Sequence, residues 1–93
     1  MKKEDGKKIM DEARQAIYHS LFLKEADVPA RIGKTVYVRK EYHERIQLIL
    51  RVIGKDEVSL FSYIDNVLAH HFDMFQEDIK RLLLLSATTR LVV

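Results

Sequence analysis

The chain lacks cysteine and tryptophan, and it holds one proline and three glycines among its 93 residues. Without cysteine it forms no disulfide and no thiolate metal site, the usual braces of very small proteins. Its longest apolar run, Leu82–Leu85, falls far short of the ~20 residues that a membrane span needs. No apolar stretch behind the N-terminal Met-Lys-Lys is long enough for a signal peptide. These absences predict a cytoplasmic protein with no membrane contact.

Composition indicates a folded domain whose own core supplies little stability. Hydrophobic residues make up 47% of the chain and charged residues 32%, whereas disordered chains carry fewer apolar side chains. A domain of this size buries only about 60–65% of the surface of its unfolded chain, so its core is thin. Oligomerisation is therefore the expected additional source of stability.

The charges are unevenly distributed along the chain, although the net charge is only +2. Six basic and two acidic residues lie between Arg31 and Arg51, whereas the segment from Asp56 to Asp78 carries six acids and no lysine or arginine. A basic middle beside an acidic segment favours one face that meets a polyanion. The alternative is a solvated surface on which the charges merely cluster.

Residues 7–24 have the apolar spacing of a thin amphipathic helix, and Pro29 and Gly33 mark a linker behind it. The core is expected to close without this arm, which we therefore expect to be mobile or loosely helical in the free protein and to be ordered by another protein. The patterns divide the chain into an arm with its linker (1–33), a central domain (34–76) and a helical extension with a tail (77–93).

Residues 34–39, Lys-Thr-Val-Tyr-Val-Arg, alternate as a short strand does. Val36 and Val38 point to one face, and Thr35, Tyr37 and Arg39 point to the other. A lone strand leaves its backbone N–H and C=O groups unpaired. Its cheapest partner is the same strand of a second copy.

Two helices follow the predicted strand. Apolar spacing predicts the first over 40–53, with Gly54 ending it in the left-handed conformation. Ser59 is the predicted N-cap of the second. This helix continues in register to about residue 85 or breaks near Asp73; the sequence leaves both open. Residues 86–93 are predicted to be a frayed tail.

The order strand, helix, glycine-containing turn, helix over Lys34–Phe72 resembles the ribbon-helix-helix family of DNA-binding proteins. The resemblance implies a mainly α fold with one short strand, forming an intertwined two-fold dimer with an intersubunit antiparallel β-ribbon. The residues assigned to the dimer core are Val36, Val38, Ile46, Ile49, Leu50, Ile53, Ile64 and Leu68.

A second resemblance rests on Gly-Lys-Thr-Val-Tyr-Val-Arg-Lys-Glu-Tyr-His-Glu-Arg-Ile (33–46) and Val-Ser-Leu-Phe-Ser-Tyr-Ile-Asp-Asn-Val-Leu-Ala-His-His-Phe (58–72). Both stretches look like proteins of conjugative transposons and plasmids of anaerobic gut bacteria, which are associated with mobilisation and transfer. Arg39 stands where that family usually has a Ser or Thr cap, so the first helix is expected to begin less firmly.

The dimer implied by the first resemblance places Thr35, Tyr37 and Arg39 towards base edges in the major groove, which admits a two-stranded ribbon. Arg39 is the expected bidentate reader of guanine, and Tyr37 is large for such a position. Phosphate contacts are expected from Lys34 and Lys55 and from Ser59 and Leu60, at the amino end of a helix. A solvated strand face and an ordinary cap at Ser59 are the alternatives.

No spacing indicates an enzyme, a metal site or a cofactor. His70 and His71 are adjacent and cannot share a helix face, and none of the serines lies in a G-x-S-x-G motif. The sequence therefore favours a dimer that binds double-stranded DNA, as an accessory transfer protein or a transcription regulator of a mobile element. The rival hypothesis is a protein-interaction module that docks on a relaxase or another transfer protein.

Overall fold

A computed structural model describes the backbone of residues 2–92 and the side chains of residues 6–87. The elements are helix α1 (Lys2–Phe22), a single 3-10 turn (Ala30–Ile32), helix α2 (Lys40–Val52) and helix α3 (Leu60–Val92). Within residues 2–92 there is no strand. The predicted mainly α class is confirmed. None of the helices in this part of the chain is both long and apolar enough to cross a membrane.

Helix α2 agrees closely with the helix predicted over 40–53. Arg39 is its N-cap residue and makes no side-chain capping hydrogen bond, as expected for arginine at this position. The carboxyl end is closed by the N–H of Gly54, which donates to the carbonyl of Ile49 at 3.0 Å, and by the N–H of Asp56, which donates to the carbonyl of Leu50 at 3.0 Å.

Gly54 ends α2 as predicted, but the left-handed conformation predicted for it is wrong. Its φ is not positive; the left-handed residues are Lys55 and Asp56, with φ of 53° and 59°. Glycine is required here for space, because a Cβ would lie 2.8 Å from the carbonyl oxygen of Leu50. The left-handed backbone therefore begins one residue later than predicted, after the close contact between Gly54 and Leu50 of α2.

Helix α3 begins as predicted. The N–H of Ser62 donates to Ser59 Oγ at 3.0 Å, so Ser59 caps the first turn. The backbone is non-helical at Phe75 (φ −111°, ψ 15°) and helical on both sides of it. The helix therefore has a local break close to Asp73, at Phe75, and also continues beyond it. The backbone of residues 86–92 is helical, which corrects the predicted frayed tail; Val93 lies outside the described residues.

Helix α1 is fastened to α3 at its carboxyl end. Asn66 Nδ2 donates to the carbonyls of Phe22 at 3.0 Å and Lys24 at 2.8 Å, and the Asn66 side chain is buried. Leu23 follows directly and is only 5% exposed. The expectation that the core closes without the arm is therefore wrong.

The core of the single chain is small. Leu23, Leu50 and Tyr63 are its buried hydrophobic residues among the described side chains. The chain exposes 8749 Å², against about 5,600 Å² expected for a compact monomer of 10.9 kDa. Its radius of gyration is 18.4 Å, whereas a compact chain of this length has about 12 Å. A single copy thus leaves an unusually large apolar surface uncovered.

Candidate interaction site

The connector between the 3-10 turn and α2, residues 34–39, is the most exposed apolar segment near the core. Val36 is 76% exposed and Tyr37 is 98% exposed, and Val38 is half-buried. Within the described residues, the backbone of residues 34–38 takes part in no strand pairing. The predicted strand is therefore not formed in the single chain: a strand requires backbone pairing, and no described segment supplies it.

An apolar groove of about 530 Å³ lies beside the connector, between α2 and α3. Its lining includes five residues predicted for the dimer core, namely Val38, Ile46, Ile49, Ile64 and Leu68. These residues belong to three separate segments, so the fold brings them together on one surface.

The other three predicted dimer-core residues lie elsewhere. Leu50 is 4% exposed and is already covered inside the single chain, where it packs with Leu23 and Tyr63. Val36 and Ile53 are 76% and 48% exposed, outside the lining of the groove. The apolar face of α2 is therefore divided between the chain's own core and the open groove.

A pair of tyrosines forms the polar part of the groove. The hydroxyls of Tyr18 and Tyr63 are 2.5 Å apart and share a hydrogen bond. Burial raises the pKa of Tyr63 to about 12, and the hydrogen bond with Tyr18 acts in the same direction. The nearby Arg45 opposes this shift weakly. Sequence reasoning missed this pair, because its members lie on different helices and 45 residues apart.

The raised pKa of Tyr63 predicts an alkaline loss of stability. The unfolded chain ionises this phenol near its ordinary pKa of 10.0, and the folded chain does so near 12. The stabilisation is therefore complete below pH 10 and is lost as the pH rises towards 12. Urea unfolding across this range should show a steeper decline for the wild type than for Tyr63→Phe. If the free energy of unfolding declines equally with pH in the two proteins, folding does not raise the pKa of Tyr63.

The three predicted base-reading residues lie on the exposed connector. Thr35, Tyr37 and Arg39 are all exposed. The guanidinium carbon of Arg39 lies 5.3 Å from the centre of the Tyr42 ring, in a cation–π contact. This contact holds the Arg39 side chain against the first turn of α2.

The amino end of α3, predicted as a phosphate site, holds a carboxylate of the chain itself. The N–H of Ser59 donates to Glu25 Oε1 at 3.0 Å, an arrangement that the helix dipole favours. Ser59 Oγ donates to Ser62 Oγ at 2.8 Å, and Ser62 Oγ accepts from the N–H of Ala26 at 2.9 Å. The segment behind α1 is thereby tied to α3.

The remaining predicted phosphate contacts are placed as follows. Lys34 and Lys55 are exposed, and Leu60 is half-buried against the core. Lys55 lies in the turn between α2 and α3 with a left-handed backbone. Sequence reasoning missed Glu25 at this position, because the contact joins residues 34 positions apart.

These features define a small helical protein with an exposed connector and an open apolar groove. The chain belongs to the family described as "Protein of unknown function (DUF3408)", whose match covers residues 1–84. The match includes α1 as well as the region from the connector into α3. Comparison with curated proteins and with solved structures found no match.

Proposed function

We propose that the chain forms a two-fold dimer of the ribbon-helix-helix type and binds double-stranded DNA through the paired connectors. The observation that carries the proposal is the connector itself. Val36 and Tyr37 are 76% and 98% exposed, and the backbone beside them has no strand partner within residues 2–92. Pairing with the connector of a second copy satisfies these backbone groups and covers Val36.

The groove supports the dimer independently of the connector. It is lined by Val38 together with Ile46 and Ile49 of α2 and Ile64 and Leu68 of α3. An open apolar surface of this kind next to a small core is typical of an obligate interface, which resembles a domain core cut in half. The second copy brings the same residues to the axis, so the two grooves close on each other.

DNA recognition follows from the face of the ribbon opposite to the valines. Alternation places Thr35, Tyr37 and Arg39 of both copies on that face, and a two-stranded ribbon fits the major groove of B-DNA. Arg39 supplies the bidentate contact to guanine. The net charge of +4 between residues 31 and 51 attracts the phosphates.

Lys34 and Lys55 are the phosphate contacts that the arrangement favours, because both are exposed cations. A phosphate at Ser59 and Leu60 competes with the carboxylate of Glu25, which already accepts the N–H of Ser59 at 3.0 Å. Binding there requires Glu25 to leave. We therefore assign the amino end of α3 a smaller part in DNA affinity than the two lysines.

The biological setting that we propose rests on the resemblance of residues 33–46 and 58–72 to proteins of conjugative elements. In that setting the dimer is an accessory protein at a transfer origin or a transcription regulator of the element.

The second candidate function is a protein-interaction module of a transfer complex. It is favoured by the Glu25 carboxylate at the amino end of α3, which repels a phosphate. It is also favoured by exposed apolar residues along α1, where Ile9, Met10 and Ile17 are 66%, 67% and 57% exposed. The salt dependence of binding distinguishes the two functions. The logarithm of DNA affinity falls with the logarithm of the salt concentration, with a slope near −0.9 per phosphate contact. The affinity of an apolar interface does not fall in this way.

Arg39→Ala is expected to weaken binding to the preferred duplex by about 10-fold or more, since a bidentate base contact contributes about 1–3 kcal/mol of discrimination. The preferred duplex is first selected from random sequences, and affinity is then measured by fluorescence anisotropy. Arg14→Ala, which removes an exposed arginine from α1, is the matched control.

In the same assay, Lys34→Ala and Lys55→Ala are expected to lower the salt slope by about one contact per copy without changing the sequence preference. Wild-type affinity in Arg39→Ala would contradict the assignment of the connector as the reading element. If no duplex is enriched and no salt-dependent binding occurs, the proposal of DNA binding fails as a whole.

A further inference from the structure

Helix α3 carries a second apolar surface beyond the groove. Its members recur at alternating steps of four and three: Leu68, Phe72, Phe75, Ile79 and Leu82. This is the spacing of the a and d positions of a heptad. We call this set the α3 seam.

The α3 seam is open to solvent in the single chain. Phe72 is 57% exposed, Phe75 is 44% exposed and Leu82 is 63% exposed, and Ile79 is half-buried. Phe72, Ile79 and Leu83 line one groove of about 370 Å³. Phe75, the non-helical residue, lines a neighbouring groove with Tyr18 and Phe22, so the seam borders two open grooves.

The charged residues of this part of α3 lie mainly off the seam. Asp73, Glu77, Lys80 and Arg81 fall at the b, c and f positions of the heptad, which stay in solvent when two helices pair. Asp78 falls at a g position, at the edge of the contact. Charges of both signs are mixed here, so no strong field of one sign repels a second copy. The acids also make this surface a poor partner for DNA.

We infer that the α3 seam pairs with the α3 seam of a second copy, as a two-helix contact that extends the dimer interface. This inference rests on the proposed dimer, because the partner is the same second copy. Leu68 belongs both to the groove beside the connector and to the seam, so the two surfaces are continuous. Heptad spacing is the sequence pattern of helices that pair along their length.

The exposed area of the chain leaves room for a large contact between two copies. The chain exposes 8749 Å², about 3,100 Å² more than a compact monomer of its mass. A standard interface covers about 800 Å² on each partner, and obligate dimers bury considerably more. Pairing of the seams adds to the area that two copies cover between them.

The test compares two glutamate substitutions in the full-length chain. Leu82 and Met74 are each 63% exposed; Leu82 lies on the seam, whereas Met74 lies at a c position. Sedimentation equilibrium is expected to show self-association weakened by about 30-fold or more in Leu82→Glu. For Met74→Glu we expect a change within about two-fold, the size of an ordinary surface substitution.

Because Leu82 is mostly exposed in the single chain, Leu82→Glu should keep the helix content of the wild type at matched oligomeric state, which circular dichroism checks. Leu82→Gln removes the apolar group without adding charge and should shift association in the same direction by a smaller factor. Equal effects of Leu82→Glu and Met74→Glu, or no effect of either, would overturn the seam contact.

A cross-link separates this inference from the proposed function. The chain has no cysteine, so Val36→Cys introduces a single thiol into the connector and reports ribbon pairing as a disulfide between copies. If these copies cross-link but Leu82→Glu associates as the wild type does, the seam fails and the ribbon dimer stands. If Leu82→Glu weakens association and Cys-substituted connectors do not cross-link, the seam stands and the ribbon dimer fails. A monomeric wild-type chain at micromolar concentration would overturn both.

Discussion

Leu23→Ala is expected to lower the free energy of unfolding by about 2–5 kcal/mol, the range for truncating a buried leucine. Leu23 is 5% exposed and is one of three buried hydrophobic residues of the described core. Partly buried residues surround this small core, and truncation of Leu23 removes its only buried contribution from the segment that follows α1 among the described residues. Urea denaturation monitored by circular dichroism measures the loss.

Ile17→Ala is the control for this prediction, because Ile17 lies on α1, which ends just before Leu23, and is 57% exposed. Its effect is expected to stay within about 0.5 kcal/mol, as for surface positions generally. Amide exchange gives a second measurement, with protection near the carboxyl end of α1 comparable to that of α2. Equal effects of the two substitutions would show that α1 does not contribute to the core.

The elements that local spacing predicts are those in which local contacts decide the structure. Helix α2 spans Lys40–Val52, close to the predicted 40–53, because its apolar residues repeat with the helical period. Ser59 caps α3 because the bond from the N–H of Ser62 spans only three residues. Side chain and backbone of neighbouring residues suffice for both.

The docking of α1 was not predictable from spacing. It depends on bonds that join distant residues: Tyr18 with Tyr63 and Asn66 with the carbonyl of Phe22. An asparagine on a helix gives no sequence signal that it closes the end of another helix, because the pairing arises only when the two elements meet. The thin apolar stripe of residues 7–24 therefore appeared to belong to a free arm.

The misassigned glycine shows a different limit. Gly54 was correctly placed at the end of α2, but the reason for glycine is the 2.8 Å approach of its would-be Cβ to the carbonyl of Leu50. Left-handed backbone and close approach both favour glycine, so composition alone does not distinguish them. The structure assigns the left-handed backbone to Lys55 and Asp56.

For the candidate site, the sequence pattern located the apolar surface better than the polar contacts. Val38 and Ile64 both line the open groove. Repeating apolar spacing identifies the residues that share one face of a segment, so this surface could be located from the sequence. Glu25 at the amino end of α3 escaped notice, since charged residues in a linker carry no periodicity. This carboxylate is the reason that phosphate binding at Ser59 is assigned a smaller part.

Val36→Asp is expected to abolish the dimer at micromolar concentration, with self-association weakened by about 100-fold or more. Val36 is 76% exposed in the single chain, so an aspartate there leaves the chain's own core unchanged. In the ribbon dimer the same position is covered by the partner, and the substitution brings two unpaired carboxylates towards the two-fold axis. Sedimentation equilibrium measures the loss, and DNA binding should fall with it because a single connector makes no ribbon.

Thr35→Asp is the matched control, because it adds the same charge one residue earlier, on the opposite face of the connector. This variant should remain dimeric, since its carboxylate stays in solvent, but it should bind DNA more weakly because the charge faces the phosphates and base edges. The pair therefore separates assembly from recognition. If both variants stay dimeric, Val36 does not lie in the interface and the ribbon dimer is wrong. If both become monomeric, the two faces of the connector are not distinct, and the alternation on which the proposed DNA contact rests does not hold.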